Sequence, residues 1–239
     1  MAAATTLATF SKPAPTLGRA EEAGFMAKLS KPSLEAVAKA STRMSFENGE
    51  LIYNEGELAT GAYVVLRGKV KLVANSADGK ALILRIARPG EMVSLSAALS
   101  ERGNDTSAEA VEPTSVMFIS TANLNRLMET TPDMGFHFAQ ELSIEYSLLC
   151  QELSTLGLQR SAMSRLAKLL VGITENTAPK QGVVTSNCPL THEEMAQMIG
   201  TSRETVTRLL HDLRDNGVAT VKNEILTVNK MENLRALTN

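Results

Sequence analysis

THEEMAQMIGTSRETVTRLLHDLRDNG, residues 191–217, spells two short helices with a glycine turn between them. Thr191 with Glu194 three residues on makes a capping box, and Leu190 with Met195 makes a hydrophobic staple across the same helix start. Gly200 stops that helix after about two turns. The chain resumes at once with TSRETVTRLLHDL, so the spacing predicts a helix-turn-helix. At 100° per residue from Arg203, the residues Val206, Leu209, Leu210 and Leu213 fall between about 240° and 340°, whereas Arg203, Glu204, Thr207 and Arg208 fall between about 0° and 140°. One face of the second helix is therefore set for burial, and the other is a chemical array.

That array suits a DNA major groove. Guanidinium groups pair bidentately with guanine O6 and N7, and a carboxylate accepts from cytosine N4. Phosphate repels a glutamate, so Glu204 between two arginines points to base reading rather than backbone clamping. Glu204 and Arg208 at i, i+4 would also suit a solvated, salt-bridged face, but the capped helix and turn ahead of them favour DNA. Downstream, NGVATVKNEILTVN reads as two strands about a Lys222-Asn223-Glu224 turn, a wing that would bring Lys222 near a phosphate. Upstream, Ser161 can cap a helix to about Thr174 with Leu166, Leu169 and Leu170 inward, and a polar loop follows it.

Before that helix lies a different period. Gly135, Ala139, Leu142, Tyr146, Leu149, Leu153 and Leu156 repeat at alternating steps of four and three, a heptad seam about 30 Å long. Such a stripe must be covered by its own domain or by a copy of itself. Strict spacing with Glu141, Glu145 and Glu152 on the flanks favours the copy, hence a parallel homodimer.

From about residue 46 to 120 the punctuation is that of an all-β module. Turn signals recur at Asn48-Gly49, Asn54-Glu55-Gly56, Arg67-Gly68, Asp78-Gly79, Pro89-Gly90 and Gly103-Asn104. Residues 66–91 read as a hairpin, with Val70 and Leu72 alternating against Lys69 and Lys71, and Leu82, Leu84 and Ile86 against Ile83 and Arg85.

Bulk properties narrow the function class. At 239 residues and 44% hydrophobic content the chain can build two cores. Net charge is −2, but residues 1–158 hold 14 basic against 18 acidic side chains while 159–239 hold 10 against 8, so the basic surplus sits with the helix-turn-helix. Cys150 and Cys188 lie far apart without CxxC spacing, which fits structural thiols in a reducing cytoplasm, with Cys188 a candidate redox switch. The start shows no basic segment ahead of an apolar core, and no run reaches about 18 apolar residues, so neither secretion nor membrane insertion is expected. No paired carboxylates, metal cluster, nucleophile constellation or phosphate loop points to an enzyme. A sensor acting only through protein contacts is the competing class.

The order of roll, long helix and winged helix-turn-helix, and above all residues 191–217, resembles the CRP/FNR family of bacterial transcription regulators over about residues 21–235. The fold class is then α+β: a flexible tail (1–20), a double-stranded β-roll or jelly roll of the cyclic-nucleotide-binding kind (21–131), a dimerisation helix (132–159) and a winged helix-turn-helix (160–239). The resemblance implies that Arg203, Glu204 and Arg208 read bases of a TGTGA-like half-site, with Thr191, Ser202 and Thr205 on the backbone. Thr207 sits where the FNR branch often carries a base-touching serine, which leaves the half-site consensus open. Double-stranded DNA and a second copy are the implied partners, with RNA polymerase a further candidate.

The sensory half departs from the pattern. Cyclic-AMP binders of the family carry a Gly-Glu-Leu for ribose and an Arg-Ser for the cyclic phosphate. In PGEMVSLSAALSERGNDTSAEA, residues 89–110, Leu95 stands at the glutamate's place and Thr106, beside Ser107, at the arginine's. A threonine supplies neither the charge nor the fork that a phosphodiester needs, although Arg102 would substitute if the loop were shifted. Ser94, Leu95, Ser96, Thr106 and Ser107 are thus the candidate effector pocket, and cyclic AMP is not the expected ligand. An iron–sulfur cluster needs four thiolates. Haem would have His137 as its one candidate ligand outside the DNA-binding domain, so no cofactor is expected. His192 and His211 flank the DNA face as candidate phosphate contacts.

Overall fold

The computed structural model describes residues 24–76, 81–158, 161–175, 177–179 and 182–238, with side chains outside the description at 151–158. In chain order the elements are α1 (Gly24–Ala27), α2 (Lys31–Ala40), β1 (Ser41–Phe46), β2 (Leu51–Tyr53), β3 (Gly61–Arg67), β4 (Val70–Asn75), β5 (Ala81–Ala87), β6 (Met92–Val93), α3 (Leu95–Ser100), β7 (Ser107–Ala110) and β8 (Thr114–Ser120). Then come α4 (Thr121–Thr130), α5 (Met134–Leu158), α6 (Ala162–Thr174), β9 (Val184–Asn187), α7 (His192–Ile199), α8 (Arg203–Asp215), β10 (Ala219–Lys222), β11 (Ile225–Val228) and α9 (Met231–Ala236). The chain divides into two compact units between Leu148 and Leu149, inside α5.

The first unit is a roll of two four-stranded antiparallel sheets, ordered β1-β8-β3-β6 and β2-β7-β4-β5. β3, GAYVVLR, is apolar on both sides because both sides are covered. Ala62 and Val64 join a core with α1, α2, α4 and the start of α5, while Tyr63 and Val65 join a second core against the other sheet. The β-module begins earlier than the turn signals suggest, at Ser41, and α3 interrupts it. β1, STRMSF, is mostly polar, with only Met44 and Phe46 on the core-facing side, and is recruited by pairing with β8. The helix α2 was not marked by the turn pattern either, though Ser30 caps it and Pro32 fits its first turn.

The β4–β5 hairpin forms, and its expected Asp78-Gly79 turn lies outside the described residues. Its phase in β5 is corrected. Ile83 and Ala87 are buried, whereas Leu82, Leu84 and Ile86 are half-buried. A register shift between Leu72 and Val73 changes the partner count across the pair and so changes which residues face the core.

α5 also corrects an expectation. Met134 and Phe138 are buried in the helix-side core and Leu142 packs against it. Glu141, expected on the flank of a dimer seam, is 9% exposed and accepts from Lys28 Nζ at 2.6 Å. Glu145 is half-buried, and burial pushes its carboxyl above the usual range, against the pull of Arg85. Both glutamates face their own unit. Gly135, Ala139, Tyr146 and Leu149 of the seam remain exposed, as do Phe136 and Ile144 beside it, while Leu153 and Leu156 lie outside the described side chains.

The second unit has one core, built from Leu166 and Leu170 of α6, Met195 and Ile199 of α7, Val206, Leu210 and Leu213 of α8 and Leu226 of β11. Its sheet runs β10-β11-β9. The third strand, VTSN, was read as loop because only its alternate residues Val184 and Ser186 are buried. The wing turns on Asn223 and Glu224, both at positive φ (50° and 60°), as a two-residue hairpin turn matched to strand twist demands.

Candidate nucleic-acid interface

α7 is fixed at both ends. Thr191 Oγ1 accepts from the Glu194 N–H at 3.1 Å, and Glu194 Oε2 accepts from the Thr191 N–H at 2.9 Å. Gly200 closes the helix at φ 62°. A residue that sequence reading passed over holds the turn: Arg165 of α6 donates from Nε to the Ile199 carbonyl at 2.6 Å and from Nη2 to that of Gly200 at 3.4 Å. A cation on the last carbonyls of a helix meets the negative end of its dipole. The only hint was a basic residue one turn into an otherwise apolar-faced helix.

α8 starts on Ser202, whose hydroxyl accepts from the Thr205 N–H at 3.3 Å and lies 3.2 Å from Thr205 Oγ1. Val206, Leu209, Leu210 and Leu213 are buried, which turns the opposite side outward. Arg203, Glu204, Thr207 and Arg208 together line an outward concavity, as the helical spacing required. His211, expected to flank the DNA face, lines it too, together with two residues that the helical spacing alone did not single out, Asp212 and Asp215 at the C-terminal end. Asp215 is paired with Arg214 at 2.9 Å, so the far end of the array is Asp212 beside a balanced ion pair, and the cationic surplus lies in the first two turns, in keeping with groove entry by the N-terminal end of a recognition helix. Lys222 is exposed at the end of β10, just before the wing turn. His192, expected on a phosphate, has its Nδ1 2.9 Å from Thr207 Oγ1.

The Glu204 carboxyl is held below the usual carboxylate range, first by its backbone N–H at the helix start, then by the Ser202 hydroxyl and by Arg203. Its folded value lies below the unfolded one, so it stays ionised above the ordinary Glu range and gains a proton only as pH falls through the lowered value. Preference at the base pair it contacts, identified as the one altered in Glu204→Gln, should be flat from about pH 8 to about pH 5. Competition binding across that range checks it, and a titration near neutrality at that base pair would contradict it.

The candidate effector residues are not gathered into one polar wall. Ser94 is buried at φ 63° and donates to Asn104 Oδ1 at 2.6 Å. That left-handed step turns Leu95 into the helix-side core at 1% exposure and leaves Ser96 exposed. Ser107 Oγ accepts from the Glu55 N–H at 3.0 Å, and Thr106 bonds the Tyr53 hydroxyl, whose phenol burial pushes up. Arg102 is exposed. The guanidinium that acts on this region is Arg85, missed because it sits in a strand: Nη1 donates to Glu91 Oε2 at 2.6 Å and Nη2 to the Met92 carbonyl at 3.2 Å, and its charge acts on Tyr53 and Glu145.

Other candidates are placed as follows. His137 Nε2 lies 3.5 Å from Asp133 Oδ2. Cys188 is 1% exposed and burial pushes its thiol up, which disfavours the thiolate that oxidation requires. Cys150 is half-buried. Among the described residues no group of three or more His, Cys, Asp or Glu could hold a metal ion, and no helix is long and apolar enough to cross a membrane.

Comparison with known proteins gives two family matches: a Crp-like helix-turn-helix domain over residues 164–237 and a cyclic nucleotide-binding domain over residues 43–131. The chain is 30% identical over 176 residues to a protein of Thermus thermophilus named Cyclic AMP receptor protein, covering 74% of this chain and 78% of the relative. It is 30% identical over 181 residues to the nitrogen fixation regulation protein FixK of Bradyrhizobium diazoefficiens, covering 75% and 74%. Among solved structures, a CRP/FNR-family transcriptional regulator of Thermus thermophilus superposes with a TM-score of 0.67 at 27% identity, covering 82% of this chain and 97% of the other. FixK2 of Bradyrhizobium japonicum superposes with a TM-score of 0.72 at 24% identity, covering 83% and 98%.

Proposed function

Since the chain belongs to the CRP/FNR family of DNA-binding transcription regulators, we propose that it acts as a cytoplasmic homodimer reading a near-palindromic, TGTGA-like duplex site without need of cyclic AMP. The observation that supports it most is the open outward face of α8, which Arg203, Glu204, Thr207 and Arg208 share while Val206 and the leucines beneath fix the helix. Arg203 and Arg208 reach guanine edges, Glu204 takes a cytosine amino group, and Thr191, Ser202, Thr205 and Lys222 meet the backbone. Two copies pair along α5 and offer their recognition helices to successive major grooves about 34 Å apart. Independence of cyclic AMP is supported by Thr106 in place of a phosphate-clamping arginine and by Leu95 in the core where the ribose-holding glutamate would be. An effector of another kind, if bound by the first unit, would shift the population of DNA-competent dimers, and RNA polymerase is the partner such a dimer would engage.

Arg203→Ala should cost about 1–3 kcal/mol per half-site and relax preference at one base pair. Gel-shift titration against the selected site and against random DNA checks it: equal losses on both would remove the base-reading role. Failure to retard any DNA even at low salt would favour a sensor acting through protein contacts. Added cyclic AMP should leave the measured affinity unchanged.

A further inference from the structure

We propose that His192 is a positioning residue for base recognition: through Nδ1 it fixes the direction in which the Thr207 hydroxyl faces the groove, and so sets the base preferred at that step. The proposal rests on the DNA-reading function above and adds a residue that touches no base itself.

A threonine hydroxyl that rotates freely is donor to one base and acceptor from another, and so discriminates little. On a helix its usual local partner is the carbonyl three or four residues back. Thr207 instead has a partner on the other helix of the motif, His192 Nδ1 at 2.9 Å. That partner is itself held. His192 opens α7, whose start is locked by the Thr191–Glu194 capping box and whose Met195 and Ala196 are buried. The imidazole is half-buried, and Thr207 is half-buried at the inner margin of the concavity whose other members include the exposed Arg203, Glu204 and Arg208. Thr207 is therefore the one hydroxyl of the concavity, and its orientation is set from α7.

The chemistry follows from proton count. With the ring proton on Nε2, Nδ1 accepts, and the single proton of the Thr207 hydroxyl is committed to it. What then faces the groove is a lone-pair acceptor and a methyl group. An acceptor takes the amino group of adenine or cytosine and disfavours the carbonyl edges of guanine and thymine. A phosphate role for His192 predicts something different: weaker binding to all sequences alike, with a smaller salt dependence.

The test uses the full chain and the site that the wild type enriches from a random duplex pool, with every single base-pair change at each position, at two salt concentrations. His192→Ala should lower preference roughly three- to tenfold at the base pair whose preference Thr207→Val abolishes, as expected for one neutral hydrogen bond. Preference at the base pair of Arg203 should stay. The double variant should match Thr207→Val alone, and His192→Asn, which places an amide atom where Nδ1 stands, should restore much of the preference. Uniform weakening over all sequences with a salt slope lower by about one, or additive losses in the double variant, would overturn the role of His192 while leaving the DNA-reading function intact. A wild type that enriches no sequence would remove that function and this proposal with it.

Discussion

Replacing Tyr146 and Leu149 together with aspartate should leave the chain monomeric at micromolar concentration and weaken its binding to a two-half-site duplex by more than about 100-fold. Both side chains are exposed in the single chain, at 69% and 43%, on a helix that packs Met134, Phe138, Glu141 and the seam's own Leu142 on its own unit. A second copy is the cover that fits a heptad-spaced stripe. Two carboxylates in a desolvated seam oppose their symmetry mates, and like charges there cost several kcal/mol. The loss on DNA is then one of avidity: joining two half-site contacts multiplies affinity by about 10² to 10⁴. Sedimentation and gel shift report the two effects separately, and affinity for a single half-site should hardly move. A double variant that sediments as a dimer, or that holds the full site as tightly as the wild type, would refute the seam.

Phe138→Ala should destabilise the first unit by about 3–5 kcal/mol, the cost of removing a buried phenyl ring that its surroundings cannot refill. Phe138 is 1% exposed and stacks on Phe25 with ring centroids 5.8 Å apart, which ties the first turns of α5 to α1. The second unit has its own core and should keep its transition. Urea unfolding followed by near-ultraviolet signals, which report the first unit because every Phe and Tyr precedes residue 149, and by hydrogen exchange, which reports both, separates the two. A loss under about 1 kcal/mol, or a loss shared equally by both units, would mean that α5 is not anchored through this ring.

Legibility followed how local each cause was. The helix-turn-helix was readable because its signals are adjacent in sequence: a capping box, a hydrophobic staple, a glycine stop and four apolar residues on one face. The wing was readable for the same reason, an Asn-Glu turn between two alternating strands. β1 and β9 were not, since their residues are mostly polar and their place is decided by β8 and β11, far along the chain. The same limit applies to the site. Arg203, Glu204, Thr207 and Arg208 share a face by helical geometry alone, whereas Arg165 on the turn, His192 on Thr207 and Arg85 near Glu145 are meetings between elements that only tertiary packing brings about. Glu141 shows how a local rule misleads: its spacing suggested a flank that favours a second copy, yet it pairs with Lys28, 113 residues earlier, within its own unit.

Asp212, and Asp215 in its pair with Arg214 at 2.9 Å, close the rear of the outward face of α8. A rod with cations at its tip and carboxylates a turn and a half behind can slide into a polyanionic trench only until its tail meets the rim. On the proposed function, depth of insertion, and with it the alignment of the tip against one short run of base pairs, would be limited by electrostatic recoil as well as by shape. Swapping those aspartates for lysines would remove the brake, letting the protein grip duplexes of any sequence more tightly while blurring its choice among them.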